Sequence, residues 1–400
     1  MDNKKILLDI AKYAVLNCAP EKLFKGAFSK KLLRHFERVV VISIGKAAEG
    51  MAKAVTNMLG RKPDLVLMAD EGHPLPTDSG VKNTQKIIKI ARSLDEKDLA
   101  IVLISGGGSA MFVSPALGVS LDDKIAVTRA LLKSGATINE MNVVRKHLSQ
   151  VKGGLLAALL YPATVLGFVI SDVVGNDLST IASGPLTPDK STFKDAIKIL
   201  KKYKIVAPKN VQEYLQKGLS DKILETPKPG EKYFKKVFVK ILADHKTVLK
   251  KAVEKAKKLD LKVIALNGEI TGEARDEARK FVAKAKKGKL LIACGETTVT
   301  CCGNGHGGRN QEFVLAGLKH LKRGQTLLSI GTDGVDGVCP EPIAGAIADE
   351  SNLKTAESKK LNISAFLKNN DSYSFFKSTD GLIKTGPTGT NLGDLMLLLG

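Results

Sequence analysis

From residue 39 onward the chain alternates short, mainly apolar runs with longer stretches in which apolar side chains recur every three or four positions. The short runs read as buried strands and the longer stretches as amphipathic helices. Val39–Ile44, Leu65–Ala69, Ala100–Ile104 and Thr164–Ile170 are the strand candidates of the first half. Helix starts fall between them: Ser120 with Asp123, and Thr137 with Glu140, have capping-box spacing ahead of the periodic stretches Ile125–Ser134 and Met141–Val151. Gly153–Ser171 is uncharged and nearly long enough to span a bilayer, but Pro162 splits it into a leucine-alanine helix and a β-branched strand. Such alternation predicts an α/β fold with a parallel sheet flanked by helices. Around Leu186–Gly230 the pattern becomes short lysine-rich helices, ending in Pro227-Lys228-Pro229-Gly230. A second α/β series then runs through Val237–Leu242, Val263–Leu266, Leu290–Ala293 and Leu327–Ile330. Two domains are expected, residues 1–230 and a smaller 231–400, since a chain of 400 residues exceeds one ordinary core and is long enough to bury a cleft between domains.

In open parallel sheets ligands gather beyond the carboxyl ends of the strands. Val39–Ile44 is followed by Gly45 and Lys46, and a lysine at a helix start is unfavourable unless an anion joins it. Ala100–Ile104 leads into Ser105-Gly106-Gly107-Gly108-Ser109, where Gly106, Gly107, Gly108 and Ser109 suit backbone approaching a phosphate or a tight turn. After Thr164–Ile170 stands Asp172, a candidate for holding Mg²⁺ or accepting a hydroxyl proton, with Asp177 further on as either a ligand or a helix cap. Leu327–Ile330 is followed by Gly331-Thr332-Asp333-Gly334-Val335-Asp336-Gly337, whose two carboxylates, Asp333 and Asp336, suit a hard cation, with Asp333 the named metal candidate and turn-forming aspartates the alternative. His73 reads as a loop-bracing residue or a ligand contact. Thr385–Asp394 offers hydroxyls and backbone donors to phosphate, or else Thr390 or Asn391 caps a final turn at Leu395–Leu399.

The densest signal is Cys301-Cys302-Gly303-Asn304-Gly305-His306-Gly307-Gly308-Arg309-Asn310, between a strand-like and a helix-like run. Gly305, Gly307, Gly308 and Asn310 form a candidate phosphate cradle at a helix start, with the Arg309 guanidinium as its cation. Gly303, Gly305 and Gly308 also fit G-x-G-x-x-G, so a dinucleotide site stays open, as does a purely structural turn.

Charge narrows the field less than its size suggests. The formal net charge of +21 would suit a polyanion, but the excess is mostly lysine on helical stretches, tryptophan is absent and aromatics are 5%. Stacking on nucleic acid is poorly supplied, so solvated surface is the better reading and no nucleic-acid partner is expected. The cysteines, Cys18, Cys294, Cys301, Cys302 and Cys339, form no C-x-x-C pair and are odd in number, which points to a reducing, cytoplasmic setting. The first residues lack the pattern of a signal peptide, and no membrane partner is expected. Without H-E-x-x-H or finger spacing, magnesium is a better candidate than zinc.

Taken together, Ile44–Ala48, Gly72–Pro74, Ile104–Ala110, Ser134–Asn142, Arg145–Ser149, Ser171–Val173, Ile181–Pro185, the glycine-arginine loop, Gly331–Gly334 and Thr385–Asn391 resemble the class II glycerate 2-kinases, also called the MOFRL family. The resemblance implies ATP-dependent phosphorylation of D-glycerate at its 2-hydroxyl, giving 2-phosphoglycerate and ADP. It also implies a divalent cation and a cleft between a Rossmann-like N-terminal domain and a smaller C-terminal domain. Lys46 and Arg309 then match basic residues of that cleft and Asp172 its acidic partner, so Lys46, Asp172 and Arg309 are the catalytic candidates. Thr300–Gly303 departs from the family pattern, and residues 186–235 match it loosely. The rival is an NAD(P)H-dependent hydroxypyruvate reductase, with the cofactor on Gly303–Gly308 and its ribose on Asp333. The assembly is expected to be a monomer or a homodimer.

Overall fold

The computed structural model describes residues 2–27, 30–72 and 75–400. They form two compact units, residues 24–242 and residues 2–23 with 243–400.

The first unit is built on a five-stranded sheet of β1 (Val39–Ile44), β2 (Leu65–Ala69), β3 (Leu99–Ile104), β4 (Thr164–Ile170) and β5 (Val237–Ala243), in the order β2-β1-β3-β4-β5. The first four strands are parallel, with Ile44 beside both Ala69 and Ile104, so their carboxyl ends lie along one edge. β1 and β3 are buried at every position, as suits strands covered on both faces; the polar Ser43 within β1 is satisfied by donating to the Ala48 carbonyl at 2.7 Å. Because β1 lies between β2 and β3, the connections leave it in opposite directions, and a crevice opens beyond the ends of β1 and β3.

Both capping boxes form, starting the helices Leu121–Lys133 and Ile138–His147. Leu155–Leu160 is a helix followed, after Pro162, by β4. The lysine-rich section supplies the helices Phe193–Lys202 and Lys209–Leu219, whose Phe193, Leu200, Val211 and Leu215 join Val127, Leu131 and Val144 in a separate small core. Its lysines are the solvent face of amphipathic helices.

The second unit has a mixed sheet of β6 (Val263–Ala265), β7 (Ile270–Glu273), β8 (Leu290–Thr298), β9 (Thr326–Gly331), β10 (Gly345–Ala348), β11 (Leu382–Ile383) and β12 (Asp394–Leu399). The order is β11-β10-β9-β12-β8-β6, with β7 also on β8. β12 runs antiparallel to both β8 and β9.

Two expectations are corrected here. The boundary lies at 242/243 rather than 230/231, because the strand after the Pro-Lys-Pro-Gly break is hydrogen-bonded into the first sheet. Residues 2–23 also leave the first unit: the helix Asn3–Leu16 packs on the helix His245–Lys258, where the Tyr13 hydroxyl donates to Glu254 at 2.7 Å. Leu395–Leu399 is a fully buried central strand, not a final helical turn. A short leucine-rich run has no period to separate the two, and its place between β8 and β9 decides. Among the described residues no helix is long and apolar enough to cross a membrane.

Candidate active site

The edge formed by the carboxyl ends of β1, β3 and β4 collects three predicted groups of the first unit. Lys46 follows β1, Gly106–Ser109 follow β3 and Asp172 follows β4. The first two groups are tied together: the Lys46 amide donates to the Gly106 carbonyl at 2.9 Å, and the Ala47 amide to Ser105 Oγ at 3.0 Å. Gly107 has φ +82°, which a residue with a Cβ rarely adopts, and so turns the chain sharply off the strand. Lys46 is exposed and Asp172 half-buried, and both have interactions within the protein.

A second turn closes on the first. Ala182, Ser183 and Gly184 all have positive φ, of 50°, 62° and 64°, and two of them are not glycine. Consecutive left-handed residues cost energy that the surroundings must supply. Here the turn brings Ser183 Oγ to 3.0 Å from Ser109 Oγ and lets it donate to Asn142 Oδ1 at 3.0 Å. Ser109 is thereby fixed. Asp177 accepts from the Ser179 amide at 2.9 Å and from the Thr180 hydroxyl at 2.7 Å, the bonding of a turn-former.

In the second unit the glycine-arginine loop is held almost wholly by its own chain. Asn370 Oδ1 accepts from the Cys302 and Gly303 amides at 2.8 and 3.0 Å, Asn369 accepts from the Gly305 amide at 2.9 Å, and the Gly307 amide donates to the Val338 carbonyl at 3.0 Å. A Cβ on Gly303 would lie 2.3 Å from the Asn369 carbonyl oxygen, so this glycine is required by close packing.

The start of the helix Arg309–Leu318 is likewise occupied. The buried Asp336 carboxylate accepts from the Asn310 amide at 3.0 Å, the Gln311 amide at 2.9 Å and both of their side-chain amides. Burial pushes Asp336 above the usual carboxylate range, although these donors pull the other way. The amides of Gly305, Gly307 and Asn310, expected to cradle phosphate, are therefore spent inside the protein, and Asn310 is buried. A dinucleotide pyrophosphate would need the place that Asp336 holds. Gly305, Gly307 and Gly308 still line a cavity of about 530 Å³ together with Arg309, Glu296 and Glu312.

Arg309 reaches across the strand ends. Its Nε and Nη2 donate to Asp394 at 2.7 and 3.0 Å, and its Nη1 pairs with Glu296 at 2.8 Å. Burial works against the charged guanidinium, but Asp394 and Glu296 outweigh it and keep it fully protonated. Asp394 is paired in register with Gly295 and Gly331, so Glu296 after Gly295 and Asp333 after Gly331 share this edge. Asp333 is half-buried and accepts from the Val335 amide at 3.1 Å. The roles of Asp394, Glu296 and Asp336 escaped the sequence reading. Asp394 did carry a signal, a carboxylate at the head of an apolar strand. His73 lies outside the described residues.

The chain matches two family models, a domain of unknown function (DUF4147) over residues 6–216 and the MOFRL family over residues 289–394. It is 38% identical to a D-glycerate 2-kinase of Thermotoga maritima, over 98% of this chain and 97% of that one. The chain belongs to the class II glycerate 2-kinases, the MOFRL family. A crystal structure of glycerate kinase from Thermotoga maritima superposes with a TM-score of 0.85 at 38% identity, covering 99% of each chain. A protein of Agrobacterium vitis, 38% identical over 90% of this chain and 99% of its own, bears the name putative hydroxypyruvate reductase. Within the family frame, Lys46, Gly106–Ser109 and Asp172 fall in the first matched span and Arg309, Asp333 and Asp394 in the second.

Proposed function

We infer that this chain is a D-glycerate 2-kinase, transferring the γ-phosphoryl group of ATP to the 2-hydroxyl of D-glycerate to give 2-phosphoglycerate and ADP. What carries the reading is the near full-length likeness to a D-glycerate 2-kinase, in a chain whose parallel strands end in a lysine, a glycine turn and a carboxylate. Phosphoryl transfer needs positioning and charge neutralisation more than covalent help from the protein, and those residue types supply both.

In this reading Gly106–Ser109 position a phosphate group and Lys46 offsets charge on the transferring group, while Arg309 is the candidate cation of the second unit. Asp172 orients the acceptor hydroxyl and takes its proton on a carboxylate oxygen. A divalent cation suits Asp172 or Asp333, one candidate in each unit: each offers only oxygen donors, and magnesium uses one or two carboxylates together with substrate phosphates. Among the described residues no cluster of three or more His, Cys, Asp and Glu stands ready as an all-protein metal cage. When bound, the cation would screen phosphate charge. Arg309 is oriented by Asp394 and Glu296, which makes it rigid but also neutralises much of its charge. The cysteines are unpaired, in keeping with a cytoplasmic location.

The test is ADP release from ATP, Mg²⁺ and D-glycerate, with NMR of the product to locate the phosphate on the 2-hydroxyl. NADH oxidation by hydroxypyruvate with no ADP release would replace this reading by the reductase one. Light scattering on the same sample separates monomer from homodimer.

A further inference from the structure

Beside the Gly106–Ser109 turn, wholly within the first unit, lies a cavity of about 210 Å³ with three cations in its wall, Lys124, Arg145 and Lys152. Gly107 and Ser109 complete the wall on one side and Thr128 on the other. Lys152 is completely buried, and among the described residues its one hydrogen bond is to the Ala182 carbonyl at 3.4 Å. Lys124 is 4% exposed and donates to the carbonyls of Leu148 at 2.5 Å and Arg145 at 3.3 Å. Among the described residues none of the three pairs with a carboxylate. Lys146, next to Arg145 in sequence, behaves otherwise: it is also buried, and it pairs with the buried Asp189 at 3.3 Å.

A buried cation without a counter-ion is among the costliest groups a fold can keep, and three of one sign add mutual repulsion. Burial and repulsion by Arg145 push the Lys124 amine down to about 7, and burial with repulsion from Lys124 and Arg145 pushes Lys152 well below the usual lysine range. Such arrangements concentrate at sites where a ligand brings the missing charge. The cavity falls below the range of about 300–1,000 Å³ that holds drug-sized ligands, so its occupant is small. A lone monocarboxylate would match one of three cations. A phosphate dianion matches two, and a phosphate with a neighbouring carboxylate matches all three.

We propose that Lys124, Arg145 and Lys152 form a binding pocket for a small phosphate-bearing anion, an inference that rests on the phosphate-positioning role proposed for the Gly106–Ser109 turn and extends it. Two sources share this chemistry, inorganic phosphate and a phosphorylated three-carbon acid. Calorimetric titration of the intact protein with inorganic phosphate and with 2-phosphoglycerate, in phosphate-free buffer, separates them. Tighter binding of 2-phosphoglycerate assigns the acid, and equal or tighter binding of phosphate assigns the free ion. Lys152→Met should weaken the better ligand at least tenfold while raising the Tm of the ligand-free protein, because a buried amine without a counter-ion is replaced by an apolar chain of similar length. Arg145→Met, at a partly exposed position, gives the same loss of affinity should Lys152→Met not fold. Absence of binding of either anion at millimolar concentration overturns the pocket. So does unchanged affinity in the folded Lys152→Met or Arg145→Met variant.

Discussion

Replacing Arg309 by methionine strips Asp394, which is fully buried, of the bonds at 2.7 and 3.0 Å and leaves it only the Asn310 side-chain amide at 2.9 Å. Breaking a buried ion pair by removing one partner costs about 3–5 kcal/mol. The side chain of Arg309 is 31% exposed, so the lower end, about 3 kcal/mol, is expected. If Arg309 also stabilises the transition state, kcat falls by as much as on the order of 10³-fold. The two effects separate in a second variant. Asp394→Asn in the Arg309→Met background removes the stranded charge and should restore about 1–3 kcal/mol of the loss, the coupling expected of contacting residues. Turnover should stay low. Urea unfolding and steady-state kinetics on the two single variants and the double complete the cycle. Recovery of turnover together with stability would reduce Arg309 to a counter-ion for Asp394, and full turnover in Arg309→Met would remove it from the mechanism.

Lys46 is exposed, so Lys46→Met should change stability by less than about 0.5 kcal/mol while lowering kcat roughly 10²–10³-fold; wild-type kinetics would show that Lys46 takes no part. Asp336→Ala leaves two backbone amides and two side-chain amides without their acceptor, and at about 1–3 kcal/mol for each buried unsatisfied group a loss of 3 kcal/mol or more is expected in urea unfolding. Gly303→Ala should lower the urea midpoint by about 1–3 kcal/mol equivalent, since the Asn369 backbone has to move; an unchanged midpoint would show that the loop is not packed as described. Lys124 titrates near 7 when folded and near the ordinary lysine value when unfolded, so the native state binds fewer protons between those values. Stability in phosphate-free buffer should therefore rise with pH from about 7 upward, by as much as about 1.4 kcal/mol per pH unit, and be lowest below 7, where the amine is charged in both states. Lys152, also pushed below the usual lysine range by burial, adds a rise of the same sign, so Lys124→Met should have the shallower profile, and parallel pH profiles for the two proteins would refute the burial argument.

Local pattern carried much of the architecture. Val39–Ile44 and Thr164–Ile170 are mainly apolar with no polar alternation, which suits a strand covered on both faces, and the capping boxes at Ser120 and Thr137 start helices through contacts three residues apart. The positions of Lys46, Gly106 and Asp172 after three strands of one parallel sheet follow from the same alternation. Sequence order could not say what the glycines around Gly305 are for. Their density suits a phosphate cradle and close packing equally, and the choice rests on Asn369, Asn370 and Asp336, which come from other parts of the chain.

The sequence by itself determined where strands and helices form, because periodicity, caps and breakers act over a few residues. Only the tertiary structure decided which charges meet. Arg309 finds Asp394 across 85 positions, Asp336 closes a helix that starts 27 residues before it, and Leu395–Leu399 becomes a strand because two others flank it. Lys124, Arg145 and Lys152 look like ordinary surface lysines and an arginine until packing takes them out of water together. Burial and pairing are properties of contacts distant in sequence, and no local pattern of residues encodes them.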